Sequence, residues 1–302
     1  MSDPAISTTV ATQALLVGLH FGLPPQSRQS KPEAKKVEDN NHAARGVTRV
    51  SIHYFSQIVG TETTDALFNL KQFQNAWRAD HVRLTRPWDG GEMRLLPAKL
   101  IQTYMDMESK YVEQWPGVVA EFIAVYPDWA LTAPSRMGAL YNANDFPSLD
   151  LCREAITYEC PKLPLPAAEQ FKRITLISPN LAADMEASTN QRVARAVAEA
   201  KTQTFKDVLD PIQKIVDTLT KDKPKIFESL IGNLNDIISL VPAFNLDNDA
   251  DLNRLATEAR EQLTTVNAED LRADPELRKT TAKNAQEILR RFAAYGQRKF
   301  AV

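Results

Sequence analysis

The first hundred residues of this 302-residue chain interleave cations with flat rings. Arg45, Arg49, His53 and Phe55 fall on the mixed face of a predicted strand. Trp77, Arg78, His81, Arg83, Arg86 and Trp88 follow around a predicted hairpin, and Lys31, Lys35 and Lys36 sit in a polar stretch able to act as a mobile clamp. Single-stranded nucleic acid asks for this combination: cations neutralise phosphates, and rings stack on bases that no duplex hides. A second reading competes with it, in which the Trp and Phe side chains are core and the arginines form a solvated rim.

Other chemistries find less support. The ten glycines form neither GxxxxGK nor GxGxxG, so the phosphate-cradling loop of a nucleotide hydrolase is excluded. HExxH, GxSxG and clustered Cys/His ligands are missing too. Asp247, Asp249, Asp251, Asn253 and Glu258 approach the spacing of a calcium loop, but Leu252 stands where the sharp turn needs glycine. Asp249 or Asp251 is then expected to cap the helix that begins there, with no metal bound. His20 and His53 lie on predicted strands where two imidazoles could meet across a sheet, without a third ligand near in sequence. The 38 carboxylates are scattered, giving no privileged acid/base pair.

Charge narrows the partner class. Thirty-six basic against 38 acidic residues leave −2, which argues against a surface coated for duplex DNA. The thirds differ: 12 basic and 9 acidic in 1–100 (+3), 8 and 13 in 101–200 (−5), 16 and 16 in 201–302. Cys152 and Cys160 form no CxxC pair, so a disulfide framework is not expected and a reducing cytosol suits the chain. No run approaches the ~18 apolar residues of a membrane span, and no basic segment precedes the apolar run at 14–19 as in a secretory signal.

The elements that must position these residues follow from periodicity. Leu15, Val17, Leu19 and Phe21 alternate as a strand ending at Pro24-Pro25, and Val50, Ile52 and Tyr54 mark a second. Between them, 26–41 is too polar to pack alone and reads as a loop or short exposed helix. A helix is expected over 64–80, then a hairpin of 82–88 and 92–96 around Asp89-Gly90-Gly91. A helical stripe follows from Leu100 to Ile123, with Pro116 as a kink or a junction. Six prolines from Pro127 to Pro166 predict irregular or short-stranded chain, and 171–177 could close the sheet. The last third predicts four helices: 181–219, one opened by Pro224 and closed by Pro242, one capped near Asp249, and one from Asp274-Pro275 to about Tyr295. The expected fold class is therefore α+β, a small antiparallel sheet with helices in the N-terminal half and a mainly α-helical C-terminal half. The expected boundary separates 1–165 from 166–302.

Three stretches, 141–148 (YNANDFPS), 227–246 (FESLIGNLNDIISLVPAFNL) and 269–278 (EDLRADPELR), together resemble a family of bacteriophage-encoded proteins of unknown function, some encoded near MoxR-type AAA+ ATPases. The resemblance spans about two thirds of the chain and brings no catalytic residues. It implies a phage protein working in the host cytoplasm. By analogy with phage early proteins it implies a non-enzymatic single-stranded DNA-binding factor, without cofactor, that assists phage transcription or replication. The alternative is a helical adaptor for an AAA+ ATPase or an RNA polymerase. A homo-oligomer is expected in either case.

Overall fold

The computed structural model describes residues 13–53, 62–166, 171, 178–246 and 248–300, apart from the side chains of 62–65 and 300. It is an α+β protein: among the described residues every strand lies before residue 165, every strand pair is antiparallel, and 179–300 is helical between short connections. The chain divides into two compact units, one of 1–18, 82–103 and 161–302 and the other of 19–81 and 104–160. The expected division at 165/166 does not coincide with this. The first strand and the hairpin share a unit with the C-terminal helices, because long-range pairing overrides order along the chain.

In the unit that carries the C-terminal helices, strands β1 (Ala14–Val17), β5 (Arg86–Pro87), β6 (Arg94–Pro97) and β8 (Lys162–Pro164) form a sheet in the order β5-β6-β1-β8. Leu16 faces Leu95 on one side and Leu163 on the other. Only 86–87 of the expected 82–88 strand is extended, because helix α2 (Glu62–Arg83) runs on to Arg83. The hairpin turn places Asp89 (φ 47°) and Gly90 (φ 67°) in the left-handed region, which suits Asp and Gly.

Helices α5 (Pro179–Leu219), α6 (Ser229–Phe244), α7 (Ala250–Leu263), α8 (Ala268–Ala273) and α9 (Pro275–Phe300) enclose the aliphatic core of this unit. Val208, Ile212, Ile215, Leu234, Ile238 and Ile288 repeat at helical spacing and are buried there. Gly296 of α9 lies so close to α5 that a Cβ would come 2.5 Å from the Phe205 ring. The helix expected from Pro224 begins instead at Ser229 and passes Pro242 by two residues. A proline in the last turn forfeits a single bond, and Val241, Ala243 and Phe244 remain buried around it.

The other unit holds two short ladders, β2 (His20–Phe21) with β7 (Tyr158–Glu159) and β3 (Ser27–Gln29) with β4 (Ser51–His53), together with α1 (Lys31–Asn40), most of α2 and α3 (Ile101–Met137), and α4 (Leu149–Ala155). A ring cluster fills it: Trp77 stacks on Tyr111 at 5.1 Å and meets Phe21 edge-on at 5.3 Å, while Trp115 meets Tyr158 at 5.4 Å. Helix α3 carries Pro116, Pro127 and Pro134 inside it and ends only at Met137, contrary to the irregular chain expected after Pro127. An internal proline costs a helix about 3 kcal/mol. Beyond Pro127, burial of Trp129 and Ala133 rewards continuation, and Thr132 Oγ1 and the Arg136 guanidinium donate to the carbonyls of Asp128 and Trp129. Of the strand expected over 171–177, all but Phe171 lies outside the described residues.

Candidate nucleic-acid interface

The cations of 31–53 are set out by one short helix and the loop behind it. Ser30 caps α1 by accepting from Glu33 N–H, and Pro32 occupies the first turn, where its missing N–H costs nothing. This turns the polar stretch into a helix whose one buried side chain is Glu38. The Glu38 carboxylate reaches back to accept from Gly46 N–H (2.9 Å) and Thr48 N–H (3.0 Å), folding the 41–50 loop against the helix. Gly46 sits at φ 87°, open only to a residue without Cβ strain.

Lys31, Lys35, Lys36, Arg45 and Arg49 are exposed around this frame. On β4 the pleat turns Ile52 inward and Ser51 and His53 outward, and Arg49, ahead of the strand, is exposed as well. Lys36 pairs with Glu33 at 2.7 Å, whereas Lys31, Lys35, Arg45 and Arg49 form no ion pair among the described residues. Arg28 is committed elsewhere, with Nε 2.7 Å from the buried carboxylate of Asp145. Phe55 lies outside the described residues.

The second half of the expected constellation is placed differently. Trp77 is fully buried among the rings. His81 is buried with Nδ1 2.8 Å from the Tyr104 hydroxyl, and Arg78 is exposed with its guanidinium 4.7 Å from the centre of the Phe21 ring. Trp88 is 6% exposed, packed with Leu16, Leu95 and Val193. Arg86 is 4% exposed, held by Thr204 Oγ1 (3.0 Å), Asp207 (3.1 Å) and the face of Phe244 (3.6 Å). Burial pushes its pKa down to about 10 despite the opposing charge of Asp207. Arg83 is exposed. His81, Arg86 and Trp88 are thus corrected from contact residues to core, because each has a buried partner that solvent-facing groups lack. Arg83, Arg86 and Trp88 also belong to a different compact unit from Arg49 and His53.

The remaining chemistries resolve as structure. Asp249 caps α7, accepting from Asp251 N–H (3.0 Å) and Leu252 N–H (3.3 Å), and its second oxygen takes Tyr295 Oη and Lys299 Nζ. Burial works to raise that carboxyl, yet the hydrogen bonds from Lys299, Leu252 and Tyr295 hold it below the usual range. Asp247 lies outside the described residues. His20 pairs opposite Glu159 and His53 opposite Ser27, in different ladders, so the two imidazoles do not share a sheet. Among the described residues no three His, Cys, Asp or Glu side chains gather as a metal site.

Sequence reading passed over His81, Tyr104 and Glu108 as a buried polar group. Burial, with Cys160 and Glu108 nearby, pushes the Tyr104 hydroxyl far up, so it stays a neutral partner for His81. The Cys152 thiol is buried and pushed up to about 11, which leaves it protonated and unreactive. It also passed over a cationic cleft where α5 ends beside α9. The signals for it were Lys221 just past the end of α5 and Lys279 and Lys283 one turn apart on α9. No helix among the described residues is long and apolar enough to cross a membrane. No family model, curated protein or solved structure matches the chain.

Proposed function

We propose that this chain is a non-enzymatic binding protein that holds single-stranded DNA by its phosphates, through the cations presented by α1, the 41–50 loop and β4. One observation carries the reading: Lys31, Lys35, Arg45 and Arg49 are exposed and without ion pairs among the described residues, while of the carboxylates on α1 Glu38 is turned inward and Glu33 pairs with Lys36, leaving Asp39 as the exposed one. An overall charge of −2 suits contact with a compliant strand better than a broad grip on a duplex. With Trp77 and Trp88 in the core, charge supplies most of the affinity and stacking little, so binding should be strongly salt-dependent. Phage origin, a role in phage transcription or replication and a place in the host cytoplasm belong to the same proposal and rest on the resemblance of 141–148, 227–246 and 269–278.

The adaptor reading keeps one observation of its own. Leu131 at 79% and Leu151 at 58% exposure, both in the unit containing α3 and α4, are large apolar side chains facing water, which a protein partner would cover in that reading. The partner would then be an AAA+ ATPase or an RNA polymerase.

Titration of a labelled oligo-dT and of a duplex of equal length, each at low and at raised salt, tests the proposal. The expected result is saturable binding of the single strand that weakens steeply with salt, and weaker binding of the duplex. Absence of single-strand binding at low salt would leave the adaptor reading in its place.

A further inference from the structure

The end of α5 and the first turns of α9 enclose a cleft of about 460 Å³. Four cations line it, Lys221, Arg278, Lys279 and Lys283, against the single carboxylate of Asp222, and its floor includes the buried Leu219 and Ala282. Lysine just past a helix C-terminus, as at Lys221, is ordinary, because the carbonyl end of the helix dipole favours it. The other three stand where the dipole does not favour them. Arg278 lies in the first turn of α9, the positive end, and Lys279 and Lys283 follow at a spacing of four, where like charges repel.

Little within the protein compensates that arrangement. Arg278 is anchored by donating to the carbonyls of Leu271 and Arg272 at 2.9 and 2.8 Å. Lys279 meets Glu276 at 2.7 Å, but both side chains are at least three-quarters exposed, and such a pair contributes little. Lys221 and Lys283 form no ion pair among the described residues. The helix start is already satisfied, since Asp274 accepts from Glu276 N–H and Leu277 N–H. The cationic excess therefore faces the cleft, with Thr220 and Gln286 beside it.

We propose that this cleft binds a small ligand carrying a chain of phosphates, with Lys221 and Lys283 as its principal contacts and Arg278 as a fixed cation beside them. A chain of phosphates spreads several charges over a length that separated lysines can meet together, which a single halide or carboxylate cannot do. The source of that chain is inorganic polyphosphate or the tail of a nucleotide, and the apolar floor offers a nucleotide additional contact.

The test is calorimetric titration of the full-length protein with inorganic triphosphate and, separately, with a nucleoside triphosphate, both without divalent metal. The wild type is expected to bind triphosphate saturably and to gain thermal stability from it. Lys221→Gln combined with Lys283→Gln should weaken binding by roughly tenfold or more, since each loses a charge-assisted contact. The same variant should melt where the wild type does without ligand, and Lys221→Arg with Lys283→Arg should retain binding. Tighter binding of the nucleoside triphosphate names a nucleotide as the source, and equal binding names the phosphate chain alone. No saturable binding of either ligand, or binding untouched by the glutamine pair, overturns the assignment. A protein that binds triphosphate but no oligonucleotide keeps this cleft and loses the strand-binding face, so the two failures are told apart.

Discussion

The two compact units are held together by different chemistry. The unit containing α5 to α9 buries aliphatic stripes, among them Ile212, Ile215, Leu234 and Ile288, and uses Ala196, Ala200, Ala256, Ala259 and Ala285 where less room is left. The unit containing most of α2 and α3 is built around rings: Phe21, Phe73, Trp77, Tyr111, Trp115 and Tyr158 meet one another within 5.1 to 6.4 Å. Aliphatic stripes need length to fill a core and suit long helices. A few large rings, each burying 150–250 Å² in typical proteins, let a unit with short strands reach a core without that length. The ring-built unit also carries the free cations of 31–53 on its surface. Aromatic residues and cations so close in sequence therefore serve opposite ends, one holding the unit together and the other facing outward.

Substitutions sharpen this contrast, beginning with the largest effect. Trp77→Ala removes a fully buried indole and should cost about 3–5 kcal/mol, measured by denaturant unfolding, without a separate loss of DNA affinity in whatever protein remains folded. If Trp77 stacked on bases instead, affinity would fall and stability would hold. In the aliphatic unit, Arg86→Ala should destabilise by about 2–4 kcal/mol, because it strips Thr204, Asp207 and Phe244 of a buried partner. A phosphate-binding Arg86 would produce little loss of stability and a clear loss of affinity.

A pH effect is expected at the hairpin of the aliphatic unit. Hydrogen bonds from Arg192, at 2.5 and 2.9 Å, and from Arg195 hold the Asp89 carboxyl below its ordinary value of 3.8. A depressed carboxyl means that the unfolded chain binds the proton first. The stabilisation is then complete above pH 3.8 and is lost as pH falls through the lower folded value. Asp89→Asn should flatten the acid limb of the melting-temperature profile and leave its neutral part nearly level. An unchanged acid limb would detach Asp89 from the docking of the hairpin.

How far the sequence reveals this differs between the units for a physical reason. Stripes such as 208, 212 and 215 point to burial with little ambiguity, since aliphatic groups have few uses on a surface, and the helical C-terminal half was legible. Asp274-Pro275 likewise announced the start of α9, and Asp249 the cap of α7. Rings beside arginines allow two readings, because Trp serves a core or a binding surface and Arg, seldom buried, can still enter a core where partners pair with it. Long-range partners decided the matter: Thr204 and Asp207 for Arg86, Tyr104 for His81, Tyr111 for Trp77. Alternation over a few residues does not encode contacts 23 to 118 positions away. His53 was legible as outward-facing because Ile52 beside it settles the pleat, whereas Arg49 lies ahead of the strand and is exposed. The polar 26–41 stretch left loop and short exposed helix both open, and Ser30 and Pro32, rather than an apolar stripe, decide for the helix.

On the proposed reading, charge on the ring-built unit, and not the rings themselves, engages a strand. The most direct measurement is the salt dependence of oligo-dT binding, followed by fluorescence anisotropy over a series of salt concentrations, for the wild type and for Lys35→Ala combined with Arg49→Ala. Both side chains are exposed and free of ion pairs among the described residues, so the double variant should unfold within about 0.5 kcal/mol of the parent. Its binding should weaken, and the slope of log affinity against log salt should flatten by roughly 1.4, about 0.7 for each lost phosphate contact on a single strand. An unchanged affinity and slope in the folded double variant would mean that this face does not hold the strand.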